Sequence, residues 1–204
     1  MIKNDSWIRE RATMEGMIQP FIPSMVREVK QYEHLPENFA MRSAISFGLG
    51  SFGYDIRLSP MEFKTFRHIP GTVVDPKNFN PDNLETATLH SDDSGEFFIL
   101  PAHSYGLGVA VEKLKVPSNV TIICLGKSTY ARVGIIANIT PAEASWEGHL
   151  TLEFSNSSSA DCRMYAHEGV VQLLFFEGDP CEVSYDDRSG KYQGQKEQIV
   201  EAKV

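Results

Sequence analysis

His149-Leu150-Thr151-Leu152-Glu153-Phe154-Ser155 alternates between apolar and polar residues from Leu150 onward. Successive side chains of a strand point to opposite faces. Leu150, Leu152 and Phe154 therefore share the face that seeks a core, and Thr151, Glu153 and Ser155 share the other. Outward from this segment, short apolar or alternating runs recur from Phe52 onward, at residues 54–58, 63–66, 96–100, 105–111, 120–125, 135–139, 170–176 and 182–185, separated by Gly, Pro, Asn and Asp. Many short strands with turn signals between them predict a mainly β chain, a sandwich or barrel, rather than alternating strands and helices. Residues 156–159, Asn followed by three Ser, read as a hairpin turn between two such strands.

Ahead of this region, Asn4-Asp5-Ser6 offers three candidate N-caps, Trp7, Ile8 and Met14 fall near helical spacing, and Gly16 supplies a stop. One short N-terminal helix is predicted. Residues 18–44 carry Pro20, Pro23 and Pro36 among mixed charges and read as an irregular surface loop with one strand or turn of helix. The polar stretch from Asp186 to Gln198 has Gly190 and Gly194 among Arg188, Lys191 and Lys196, and little besides Tyr192 to anchor it. It is expected to fray or to be ordered by a ligand. Residues 1–204 thus read as a single domain with 186–204 as its tail.

A chain of 204 residues with 42% hydrophobic and 23% charged content can close one sizeable core. Nineteen Lys plus Arg against 27 Asp plus Glu give a net charge of −8, which argues against nucleic acid or an anionic membrane as partner. An anionic ligand needs a local basic pocket. No apolar run approaches the roughly 20 residues of a membrane span, and the N-terminus has no uninterrupted apolar segment of the secretory kind, so a cytoplasmic protein is expected. Cys124, Cys162 and Cys181 are odd in number and widely spaced, and read as reduced. The six histidines form no HxxxH or HxH pair, so no protein-held metal is expected.

Two segments carry polar residues that packing alone does not explain. In Gly126-Lys127-Ser128-Thr129-Tyr130-Ala131-Arg132, a Gly break, a Ser at a helix start and an Arg four residues on predict a short helix near 127–133, with Ser128 and Arg132 on one face. That outlines an anion pocket, with Arg giving bidentate contacts and Lys a point charge. The plainer reading has Ser128 capping the helix and the two cations in solvent. The spacing of a Walker A loop is absent. The second segment is the opening one: if its polar face lines a cleft, Glu153 becomes a candidate general base, and if it faces solvent, an ordinary exposed carboxylate. Glu143 and Glu147 read as surface charges, and Trp146 as a core anchor.

GKSTYAR (126–132), WEGHLTLEFSN (146–156), GVVQLLFFE (169–177) and SYDDRSGKYQGQ (184–195), with FGYDIRL (52–58) ahead of them, occur in an order that resembles the dCTP deaminases of the trimeric dUTPase-related superfamily. The resemblance implies a distorted β-barrel or jelly roll, assembled as a homotrimer whose sites form between subunits. It implies hydrolytic deamination of dCTP to dUTP and ammonia, which feeds dUMP and thymidylate synthesis, with dTTP as a feedback inhibitor. Glu153 matches the catalytic glutamate, and Ser128 and Arg132 match residues that assist it. Lys127 and Thr129 belong to the same nucleotide-binding loop. Thr151, Gln172, Tyr185, Lys191 and Gln195 match substrate-binding positions, the last two in a tail that closes over the ligand. Magnesium accompanies the triphosphate, and the HxE and PCxxC signature of zinc deaminases is missing. Glu143-Ala144-Ser145 departs from the usual acidic residue followed by Pro. A bifunctional enzyme that also cleaves dUTP to dUMP and pyrophosphate, or a non-catalytic nucleotide-binding regulator, remains an alternative.

Overall fold

The computed structural model describes residues 1–30 and 41–203. Helix α1 (Asp5–Glu15) is capped by the Asn4 side chain, which accepts from the Trp7 N–H, and is ended by Gly16 at φ 69°. Strands β1 (Ile18–Gln19), β2 (Val26–Lys30), β3 (Met41–Gly50) and β4 (Gly53–Phe66) follow, then β5 (Leu84–Thr86), β6 (His90–Asp92), β7 (Gly95–Leu100), β8 (Tyr105–Lys115) and β9 (Val120–Gly126). A single turn of helix, α2 (Ser128–Ala131), leads to β10 (Ile135–Ala137), β11 (Glu147–Asn156), β12 (Cys162–Tyr165) and β13 (Gly169–Glu177). The chain is mainly β, with the two helices where the sequence predicts them.

The larger sheet runs β10-β11-β8-β4-β13-β9, with β1 on β8, β5 on β4, and β2 joined through β3 to β4. A second sheet has the order β12-β7-β6. Strand β4 links two halves of the larger sheet. Tyr54, Asp55 and Ile56 pair with Leu173, Gln172 and Val171 of β13, whereas Phe63, Lys64 and Thr65 pair with Gly108, Leu107 and Gly106 of β8. The register breaks between Leu58 and Phe63, and there Pro60 sits without having to supply a ladder N–H. The sheet curls at this bend, and its edge strands β9 and β10 approach so closely that a Cβ on Gly126 would lie 3.7 Å from the Ala137 Cβ. Phe63 fills the interior, stacked on Phe98 at 5.2 Å between centroids and on Phe154 at 6.5 Å. A Cβ on Gly106 would meet the Phe63 ring at 2.8 Å, so a side chain at that position would displace the ring.

Several expectations need correction. Residues 54–58 and 63–66 are one bent strand, because the irregularity at Ser59–Pro60 interrupts the ladder and not the chain. Residues 18–44 hold more strand than expected: Val26–Lys30 pairs with β3, its two valines half-buried among charged neighbours, and Met41 onward is already β3. Pro36 lies outside the described residues. Residues 182–185 form no strand, and their backbone docks by the Tyr185 N–H to Ala144 O at 3.0 Å. Residues 156–159 are no hairpin turn either, since β11 and the following β12 belong to different sheets. Among the described residues, no helix is long and apolar enough to cross a membrane.

Candidate active site

Strand β11 buries Leu150, Leu152 and Phe154 as its alternation dictates. Its other face lines a partly open cleft. The loop from Ile139 to Glu143 and the chain beyond β13 flank it, leaving a cavity of about 460 Å³ over Thr151 and Glu153. Tyr105 and Leu107 of β8 form the adjoining floor, with Leu107 directly opposite Glu153 in the ladder. Glu153 Oε2 is buried there with no hydrogen-bond partner. Loss of water around the carboxyl pushes its pKa up to about 7, opposed by contact with its own backbone N–H. Such a group changes charge near neutral pH, as a general base or acid requires.

The tail is held along β11 mainly through its backbone. Trp146 is buried, and its Nε1 donates to Tyr192 O at 2.8 Å; the Gly194 N–H donates to Glu147 O at 2.8 Å, and the His149 N–H to Gln195 O at 3.0 Å. Gly148, at φ 150°, makes this approach possible, because a Cβ there would lie 2.7 Å from the Gln195 nitrogen. Beyond Gln195 the chain runs back across β4. Ser59 Oγ donates to Glu197, the Ile199 N–H to Glu62 at 2.7 Å, and Lys64 pairs with Glu201 at 3.2 Å. Ile199 is buried, while Val200 and Ala202 line the cavity and the Val200 N–H donates to Thr151 Oγ1 at 3.2 Å. Alternate tail residues thus face β4 and the cavity.

Glu153, Thr151, Tyr185, Lys191 and Gln195, singled out from the sequence, line this one cavity. Ser128, Thr129, Lys127, Arg132 and Gln172 do not. Ser128, Thr129 and Arg132 are exposed on α2, where Arg132 Nη1 donates to Ser128 O at 2.9 Å. The N-cap position belongs to Lys127, whose side chain makes no capping bond, so Ser128 is the first helical residue and not the cap. Lys127 itself is buried, with its ammonium on Asp55. Gln172 sits on β13, opposite Asp55 and Leu125.

Sequence reasoning missed Tyr105, Tyr192, Val200 and Ala202 as cavity residues. Only Tyr192 had a signal, as the lone aromatic of a polar tail. Glu143, expected as a plain surface charge, forms part of the cavity wall and pairs with Arg188 of the tail. Among the described residues, no group of three or more His, Cys, Asp or Glu is arranged to hold a metal ion.

A model of a family described as dCTP deaminase-like matches residues 2–178. The chain is 50% identical over 195 residues to a dCTP deaminase of Acinetobacter baylyi, covering 95% of both chains. It is 51% identical over 195 residues to a dCTP deaminase of Paracidovorax citrulli, again covering 95% of both. Among solved structures it resembles in fold a 2'-deoxycytidine 5'-triphosphate deaminase from Agrobacterium tumefaciens, with a TM-score of 0.52 and 14% identity, over 87% of this chain and 48% of that one. The chain therefore spans about half the length of that solved protein.

Proposed function

The chain belongs to the dCTP deaminase-like family and deaminates dCTP; we propose that it does so by hydrolysis to dUTP and ammonia, with Glu153 carrying the proton. The observation behind this assignment is the Glu153 carboxyl, one oxygen of which is buried without a hydrogen-bond partner, at a cavity of about 460 Å³. A carboxylate held near neutral pKa accepts a proton from water as the water oxygen bonds to C4 of cytosine. The resulting carboxylic acid gives that proton to ring nitrogen N3, and the regenerated carboxylate then carries the remaining C4–OH proton to N4, so that the leaving group is neutral ammonia. The C4–N4 bond then breaks, the C4 carbonyl forms, and Glu153 is regenerated. Thr151, Tyr185, Lys191 and Gln195 bind the nucleotide around it. Magnesium enters with the triphosphate as part of the substrate.

Among the described residues Lys191 is the only cation lining the cavity, a poor match for a triphosphate. In our reading α2 of a neighbouring copy completes the site. Its Ser128 holds the water, its Arg132 orients Glu153 and stabilises the carboxylate, and Thr129, Lys127 and Gln172 belong to the nucleotide-binding surroundings. Two features support this arrangement: Ser128, Thr129 and Arg132 are exposed away from their own chain's cavity, and exposed Leu125, Val133 and Ile136 flank them. A homotrimer in the cytoplasm, with dTTP competing for the same site, completes the proposal. The Arg188 pairing of Glu143 favours deamination alone over added cleavage of dUTP, because it turns the carboxylate toward the tail and away from a water in the cavity.

The test is product analysis with dCTP and magnesium, following ammonia and separating dUTP from dUMP. Ammonia and dUTP in equal amounts are expected. Accumulation of dUMP and pyrophosphate would establish the bifunctional reading, and binding of dCTP without ammonia would establish a regulator.

A further inference from the structure

The α2 turn is fastened to the body of the protein at two points three residues apart, on one face. Tyr130 is 4% exposed, and its hydroxyl accepts from the Tyr165 N–H at 2.8 Å. Lys127 is 8% exposed, and its ammonium contacts Asp55 Oδ2. Asp55 is 3% exposed near the start of β4, between Gly48 of β3 and Gln172 of β13. Gly169 makes room for the lysine stem, since a Cβ there would lie 3.3 Å from Lys127 Cε. Ser128, Thr129 and Arg132 lie on the exposed side of the turn. A lysine enclosed along its stem and paired at its head with a buried carboxylate is poorly placed to reach a phosphate as well.

We propose that Lys127 and Asp55 are a positioning pair for the deamination: Lys127 stays on Asp55 through turnover and sets where Ser128 and Arg132 meet the substrate, without contacting the triphosphate itself. The proposal rests on the assignment of Ser128 and Arg132 to the site. Asp55 Oδ1 is buried with no partner, and among the described residues the Lys127 ammonium is the only cation paired with this carboxylate. Removal of either member therefore breaks the same restraint, and the two losses should not add.

The direct test uses the unaltered full chain. An amine-reactive reagent is applied with and without dCTP, and labelling is read at each lysine by peptide mass spectrometry, with exposed Lys77, which lies outside the cavity, as reference. Lys127 is expected to resist labelling in both states. Labelling of free Lys127 that dCTP suppresses would overturn the proposal in favour of a phosphate contact.

Kinetics give the second test. Asp55→Asn and Lys127→Met are each expected to lower kcat about tenfold to a hundredfold with a smaller change in KM, the double variant is expected to be no worse than either, and Lys127→Arg should recover most of the rate. A raised KM in Lys127→Met alone, with Asp55→Asn like wild type, would also contradict it. Unchanged turnover in Ser128→Ala and Arg132→Ala would remove the assignment of α2 to the site, a result separate from either outcome at Lys127.

Discussion

Glu153 and Asp55 each bury one carboxylate oxygen with no hydrogen-bond partner, but their surroundings differ. Asp55 lies inside the sheet with Lys127 against its other oxygen. Glu153 lies on the wall of a cavity and, among the described residues, has no ion pair. The first carboxylate is held by a cation and can serve only to fix what the cation belongs to. The second has lost water without gaining a counter-charge, and its pKa rises to about 7. Burial alone does not distinguish a structural acid from a chemical one; a cation held against it within the same chain does.

Turnover separates the two most strongly. Glu153→Gln is expected to lower ammonia release from dCTP by about 10²–10⁴-fold while leaving nucleotide binding in place, a larger loss than any expected at Asp55. Equal losses at the two positions would break the comparison.

Stability is expected to move in opposite directions. Removing one member of a buried pair leaves the other uncompensated, so Asp55→Asn should cost about 3–5 kcal/mol in urea unfolding. At Glu153 the folded pKa lies above the ordinary 4.5, so the folded protein retains a proton that the unfolded chain releases. That contribution is complete below pH 4.5 and is lost as pH rises through about 7. Glu153→Gln should therefore match wild type near pH 4 and exceed it near pH 8 by up to about 3 kcal/mol. A Gln variant less stable than wild type at both pH values would show that the carboxylate has a partner in solution.

The smallest expected effect concerns the tail that keeps Glu153 dry. Ile199→Asp should loosen the contacts with Ser59, Glu62 and Lys64 and admit water to the cavity. The expected result is a KM for dCTP raised several-fold and an acid limb of the rate profile shifted down by roughly half a pH unit. An Ile199→Asp variant that leaves both unchanged would remove the tail from the account.

The strand carrying Glu153 was legible because period-two alternation needs no tertiary information. Helix α1 was equally legible from Asn4 and Gly16. The charged edge strand Val26–Lys30 was not, because its two valines become half-buried only once β3 lies beside it. Residues 54–58 and 63–66 read as two runs, whereas a ladder irregularity between Leu58 and Phe63 lets one strand pass Pro60. The covering of β11 by the tail had almost no sequence signal, since the tail meets β11 largely through its own backbone N–H and C=O groups, which many sequences could supply. For the same reason no local pattern could decide whether Glu153 faces solvent or a cleft. Asp55 as partner of Lys127 was hidden by distance along the chain: the two are 72 residues apart, and only the fold brings them together.

The most direct measurement is the pH dependence of kcat/KM for ammonia release from dCTP, taken on the assembled wild-type protein beside Arg132→Ala. With Glu153 as the proton carrier, wild type should show a one-proton rise with its midpoint at or below about 7. The midpoint should move up in Arg132→Ala as the neighbouring positive charge is lost. A profile flat from about pH 4 upward in both proteins would contradict the account, because the carboxyl that faces the cavity would not then be the group that takes the proton.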